Sequence, residues 1–216
     1  MLKEKEHIKN LVINEQYKEL CRLVREKKSR LSVLLSLSYT TDNNIRFRVI
    51  KAAGHAVSAI ADREADFIRT VISNLLWSLN DDSGSVGWSS PELLGEIVSA
   101  RIDLFRGYIP LIISLLHIKE PFFRPGVLWA MGRIAAKEPS SIKPYAPYIT
   151  MYLAEPLPET RGYAVWCLGQ IKAQVPGEHI KRLLEDTSEI YLLDNDGNIY
   201  KKTVGKITGE AIGNSG

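Results

Sequence analysis

The sequence is poor in the residues that most often announce a chemistry. Of 216 residues only two are cysteine, Cys21 and Cys167, and four are histidine. The cysteines lie far apart and form no metal or redox pair. Cys167, inside an apolar segment beside Leu168 and Gly169, is expected to be a buried free thiol that packs as a small hydrophobe. His7, His55, His117 and His179 are scattered, without the spacing of a zinc motif. There is no glycine-rich phosphate loop, no nucleophile elbow and no Ser-His-Asp order. The expectation is a chain without metal, cofactor or catalytic residues, hence not an enzyme. No long apolar run is present, and Met1-Leu2-Lys3-Glu4-Lys5-Glu6 lacks the apolar stretch of a secretory signal, so a cytoplasmic protein without membrane contact is expected.

Charge of one sign is also lacking. The formal net charge is only +3, and it is uneven. Residues 1–30 carry nine Lys/Arg and five Asp/Glu, whereas the remainder carries nineteen and twenty. The body is therefore close to neutral. A nucleic-acid binder concentrates Lys and Arg along its contact face, and that pattern is missing in bulk.

What is present is a repeat. A basic or small residue, seven intervening positions and a glycine recur as Arg46/Gly54, Gly87/Gly95, Arg124/Gly132, Arg161/Gly169 and Lys201/Gly209, with the glycines 41, 37, 37 and 40 residues apart. Such a period with helical content marks stacked supersecondary units. First helices read from apolar periodicity at 64–79 (Phe67, Ile68, Val71, Ile72, Leu75, Leu76, Leu79), 108–118 and 145–154. Second helices carry the glycine: Ile45–Ala61, Pro91–Phe105, Pro125–Ala136, Thr160–Ala173 and about Val204–Gly213. A glycine inside a helix costs about 1 kcal/mol relative to alanine, so its recurrence requires an offsetting gain, and close backbone approach between neighbouring helices is the expected one. Pro91 and Pro125 suit a first helical turn.

The expected architecture is all-α: a right-handed α-α superhelix of about five helix pairs spanning 1–216 as one domain. Residues 1–30 form capping helices, 31–213 the five repeats, and Leu31–Tyr39 the first helix of repeat one. Two repeats carry extra residues between their helices. In repeat two these are 80–88. In repeat five they are 189–202, where β-prone residues flank an Asp196-Gly197 turn and predict a short hairpin. Asp194-Asn195-Asp196-Gly197-Asn198 has the acids of a calcium loop but Gly205 at its twelfth position, so a turn is expected. Both insertions are expected on one edge of the solenoid, where insertions often mark a binding face.

The units Glu120-Pro121-Phe122-Phe123-Arg124…Trp129-Ala130-Met131-Gly132-Arg133-Ile134, Arg161…Ala164…Leu168-Gly169-Gln170-Ile171 and Asp42…Arg46…Ala52-Ala53-Gly54 resemble HEAT repeats of the phycocyanobilin-lyase-like type: an acidic turn, an Arg opening the second helix, alanines, then Leu-Gly near mid-helix. The likeness covers about residues 30–213. The stretch 77–97 is similar to a bacterial HEAT-repeat family of unassigned activity, from which no catalytic residue carries over. The resemblance implies the fold and leaves function open, because such modules serve scaffolds, enzymes and chaperones alike.

Three groups of residues are candidates. Asn80, Asp81, Asp82, Ser83, Trp88 and Glu92 set polar acceptors beside an indole in a glycine-containing loop, able to hold a peptide or a cation. Their structural alternative has Asp82 or Ser83 capping a helix, Trp88 filling a gap and Glu92 exposed near a helix start. Arg46, Arg124, Arg161 and Lys201 stack at equivalent positions, as a basic ladder for anions or as an internal ladder to turn carbonyls and carboxylates of the adjacent repeat, such as Asp42 or Glu120. Trp129 and Trp166 each follow an anchor by five residues, as groove aromatics for bases or as packing between helices. The leading expectation is a non-enzymatic scaffold that binds a protein partner through the inter-helix loop edge. A nucleic-acid binder resembling the HEAT-like DNA glycosylases and a lyase or chaperone for a prosthetic group are the alternatives.

Overall fold

The computed structural model describes residues 2–79, 89–117 and 120–213. They group into two compact units, Met1–Tyr108 and Ile109–Gly216.

The first unit opens with α1 (Leu2–Ile13) and α2 (Tyr17–Glu26). Ile8, Leu11 and Val12 on the first, and Leu20, Leu23 and Val24 on the second, are buried. Their charged faces turn outward, where Arg22 bonds Glu19 and Glu26. These are the two helices expected for 1–30. α3 (Arg30–Ser36) buries Leu31, Leu34 and Leu35 as the first helix of repeat one. α4 (Asn43–Ser78) starts at Asp42, whose carboxylate accepts the N–H groups of Asn44 at 2.9 Å and Ile45 at 3.2 Å. That cap satisfies donors a helix start leaves unpaired.

The expected helices 45–61 and 64–79 are therefore parts of one element. A single non-helical residue, Glu64 (φ −126°, ψ 31°), kinks it where the repeat boundary was read, and Lys28 holds the Glu64 carboxylate at 2.6 Å. α5 (Ser90–Ala100) has Pro91 in its first turn. It is shorter than the predicted 91–105, because Arg101 (φ −140°, ψ 61°) interrupts it before α6 (Ile102–Phe105).

The second unit has first helices broken into short pieces. These are α7 (Ile109–Ser114), α9 (Pro139–Ile142) and α10 (Ala146–Thr150), joined by 3₁₀ turns at 115–117, 143–145 and 151–154. Pro144 and Pro147, which lack an N–H, lie at those junctions. The long second helices are α8 (Arg124–Ala135) and α11 (Pro158–Gln170), with Pro125 and Pro158 in their first turns. α12 (Gly177–Leu184), the strands β1 (Glu189–Leu193) and β2 (Ile199–Thr203), and α13 (Val204–Gly213) complete the unit.

The predicted hairpin forms, antiparallel, with Tyr191 opposite Lys201. At its turn the Asp194 carboxylate accepts the Asn198 N–H at 2.8 Å, and Gly197 takes φ 82°, which a side chain would strain. The ladder is bracketed by Val204 N–H to Ser188 O and Asp194 N–H to Asn198 O, each 3.0 Å. Hydrogen-bonded pairs alternate along an antiparallel ladder. The even residues of β1 therefore bond across to β2, and the odd residues of both strands turn their backbone groups outward.

α8 and α11 are buried on nearly every side, including Val127 through Gly132 and Gly162 through Gly169. A helix apolar all round needs cover on all faces. Part of that cover is β1, whose Ile190, Leu192 and Leu193 are buried at 2 % exposure or less.

Candidate functional site

The recurring glycines resolve into a contact rule. A Cβ on Gly54 would lie 2.5 Å from Oε1 of Glu96, one on Gly132 would lie 2.5 Å from Cε3 of Trp166, and one on Gly169 would lie 3.0 Å from Cβ of Ala211. Each glycine makes room for a residue of the following repeat's second helix. The close approach expected between backbones is thus mostly glycine backbone against a neighbouring side chain. At Gly209, in the last repeat, the nearest atom to such a Cβ is Leu184 Cδ2 at 4.0 Å.

The basic residues form an internal ladder. Arg46 Nη1 donates to Glu92 Oε1 at 2.9 Å. Arg124 Nη1 donates to Glu155 Oε1 at 3.5 Å. Arg161 donates from Nε and Nη2 to Asp186 Oδ2 at 3.0 and 2.7 Å, and from Nη1 to the carbonyls of Glu155 and Pro156, both at 2.7 Å. Each acid belongs to the next repeat, but the three are Glu92, Glu155 and Asp186 rather than Asp42 or Glu120. Burial works against Asp186, yet bonds from Ser188 and Arg161 hold its carboxyl below the usual aspartate range. Lys201 departs from the expected stack. It sits in β2 rather than at a helix start, with Nζ 5.2 Å over the Tyr191 ring.

Among the loop candidates, Asn80, Asp81, Asp82, Ser83 and Trp88 lie outside the described residues. Glu92 corrects its expected exposure: it is 5 % exposed, because α5 is enclosed and Arg46 reaches it. Its Oε2 and Arg46 Nε are buried without hydrogen-bond partners. Burial pushes the Glu92 carboxyl above its ordinary value of 4.5, and the Arg46 charge pulls the other way without prevailing. A carboxyl raised in the folded state favours folding when protonated. That contribution is complete below about pH 4.5 and is lost as pH rises through the folded value. Urea unfolding of the native chain and Glu92→Gln, from about pH 4 to about pH 7, is expected to show the native chain losing ground to the variant as pH rises. A gain with pH would mean that Arg46 outweighs burial.

Trp129 and Trp166 pack between helices, the alternative read for them. Trp129 is 0 % and Trp166 7 % exposed, with ring centroids 6.3 Å apart and planes inclined by 15°. Neither presents a face for a base. Three side chains from α8 and α11 instead grip the backbone of the hairpin, two on β1 and one on the turn that follows it. Trp129 Nε1 donates to Leu193 O at 3.2 Å, Arg133 Nη1 to Asp194 O at 2.9 Å, and Tyr163 Oη to Tyr191 O at 2.5 Å. Arg133 also reaches Asn195 Oδ1 at 3.2 Å. Arg133 and Tyr163 were not candidates in the sequence. Their proximity to residues some thirty to sixty positions away follows only from the docking of the hairpin.

A concavity in the first unit is an open groove of about 830 Å³ lined by Glu15, Gln16, Tyr17, Lys18, Cys21 and His55 among others. The Tyr17 and His55 rings stack at 4.6 Å, and the Cys21 thiol donates to the His55 carbonyl at 3.4 Å. Burial raises the Cys21 thiol and, with the Lys51 charge, lowers the His55 imidazole, so neither is primed as nucleophile or cation. Burial likewise pushes the Cys167 thiol up, as suits a core residue. Among the described residues no group of three or more His, Cys, Asp or Glu could hold a metal ion, and no helix is long and apolar enough to cross a membrane.

Residues 121–171 match the model of the HEAT-like repeat. No curated protein matches the chain in sequence. Among solved structures, it is similar to a designed armadillo repeat protein in complex with the peptide (KR)4, at 18 % identity and a TM-score of 0.56, covering 98 % of this chain and 91 % of that one. It is also similar to computationally designed armadillo repeat proteins for modular peptide recognition, at 17 % identity and a TM-score of 0.53, covering 97 % and 91 %. An archaeal HEAT-like repeat protein from Thermococcus onnurineus NA1 aligns at 16 % identity over 98 % of this chain and 80 % of that one, with a TM-score of 0.42.

Proposed function

Taking this chain as a HEAT-type helical-repeat protein, we propose that it is a non-enzymatic scaffold that binds a protein partner through its inter-helix insertions, the hairpin at 189–202 foremost. Repeat solenoids of this kind are typical protein-interaction scaffolds, and two of the designed armadillo relatives are a peptide complex and a set made for peptide recognition.

The observation that carries the reading is how the periodic residues are spent. Arg46, Arg124 and Arg161 neutralise carboxylates of the following repeat, and Trp129 and Trp166 are core. What departs from the repeat is a hairpin held on β1 by Trp129 and Tyr163 and at its turn by Arg133, with exposed Lys201 on β2. A strand already held in place by several side chains loses little conformational entropy when a partner binds. No observation favours the nucleic-acid or prosthetic-group alternatives.

The test is affinity capture from native lysate, comparing the native chain with Lys201→Glu and Trp88→Ala. A specific partner enriched by the native chain and lost with either variant is the expected outcome. Equal capture by both variants would refute the proposed edge.

A further inference from the structure

We infer that β2 is a docking edge for an extended acidic segment of a partner, which adds to the hairpin as a third strand. This rests on the reading of the hairpin as the contact surface and specifies how the contact is made.

The hydrogen-bond register carries the inference. Val204 N–H to Ser188 O and Asp194 N–H to Asn198 O set the alternation, so Ile190 and Leu192 pair inward with Lys202 and Tyr200. Tyr191 and Leu193 turn outward from β1, and their carbonyls are taken by Tyr163 and Trp129. That edge is closed. On β2 the outward residues are Ile199 and Lys201. Among the described residues the sheet has two strands, and no hydrogen bond reaches the backbone N–H or C=O of either residue. Lys201 is exposed and Ile199 half-buried. An open strand edge of this kind is a template for pairing with another chain.

Charge selects the occupant. β2 reads Ile-Tyr-Lys-Lys-Thr, without an acid. The Lys202 ammonium is already held by Glu210 at 2.6 Å. Among the described residues the exposed Lys201 has no carboxylate partner, and its ammonium lies over the Tyr191 ring. A second copy of β2 paired antiparallel about this position would set Lys201 against Lys201, and like charges directly opposite are unfavourable. A strand with a carboxylate at that position gains a cross-strand ion pair, while its backbone bonds Ile199 and Lys201.

The probe is a fluorescein-labelled peptide of alternating valine and threonine with one central glutamate. Its companions are the same peptide with a central lysine, and the glutamate peptide N-methylated at alternate backbone nitrogens. The glutamate peptide is expected to bind the native chain at least about tenfold more tightly than either companion. On binding, amide hydrogen exchange should slow at Ile199 and Lys201, with no change at Ile190 and Leu192. Lys201→Glu should invert the preference between glutamate and lysine peptides. Lys201→Pro removes an outward N–H and no ladder bond, so it should keep the helical circular dichroism and lose the peptide.

No binding of the glutamate peptide by the native chain, or equal binding of the N-methylated peptide, overturns strand addition. If Lys201→Pro does not fold, the N-methylated peptide decides alone. Loss of lysate capture with Lys201→Glu alongside indifference to N-methylation would keep the hairpin as contact surface while refuting strand addition.

Discussion

Replacing Trp129 with alanine is expected to lower the free energy of unfolding by about 4 kcal/mol, within the range for a fully buried aromatic. The side chain is 0 % exposed, so the transfer and cavity terms both apply in full. It also stacks against Trp166 and donates the hydrogen bond that holds the Leu193 carbonyl. The loss should therefore appear in two places. Urea unfolding gives the global value. Hydrogen exchange should additionally show faster opening of 189–203, because the hairpin loses one of its three side-chain anchors. Trp129→Phe separates the two effects: most of the volume remains, the Leu193 carbonyl loses its donor, and a cost of about 1–2 kcal/mol follows. A global loss below about 1 kcal/mol for Trp129→Ala would mean that the indole is not the packing centre of α8, α11 and β1.

Gly132→Ala is expected to destabilise by about 2 kcal/mol, although alanine is the better helix former by about 1 kcal/mol. The new Cβ would sit 2.5 Å from Cε3 of Trp166 and closer still to Cζ3. An indole pinned between α8 and α11 cannot yield by rotating a flexible end, so the helices must separate, and overpacking of this kind costs about 1–3 kcal/mol or more. Gly209→Ala is the control at the same repeat position. Its Cβ meets nothing nearer than 4.0 Å, so the propensity gain should survive and the variant should be more stable by up to about 1 kcal/mol. Opposite signs in urea midpoints would establish that the glycine is kept for the neighbour's side chain. Destabilisation by both would point to the backbone at the glycine itself.

Much of the local structure was legible in the sequence. Apolar residues every three to four positions placed most of the helices, and prolines marked the first turns of α5 and α8. The residues Tyr191–Leu193 and Asn198–Tyr200 around Asp196-Gly197 announced the hairpin. Each signal acts within a few residues, through helix phase, a missing N–H or a turn that requires positive φ. The break at Glu64 was legible only as a boundary. Whether the chain would turn there or merely kink depended on packing, with Lys28 across from it.

The candidate site was less legible. The spacing of Arg46, Arg124 and Arg161 established that they are equivalent but not what they touch. Their acids, Glu92, Glu155 and Asp186, stand at three different offsets from their own repeats' glycines, so periodicity could not find them. Trp129 and Trp166 looked the same as groove aromatics or as core until β1 was seen to lie over the helices that carry them.

The repeat, its glycine, the starts of α5 and α8 and the hairpin were thus determined by the sequence alone, because local backbone preferences and apolar period suffice for them. Which side chain fills the space above each glycine, which carboxylate meets each arginine, and which strand edge stays open were decided only by the tertiary structure. Those outcomes depend on contacts between residues some thirty to sixty positions apart, such as Trp129 with Leu193 and Arg46 with Glu92, and loop closure over such distances leaves no trace in the local pattern.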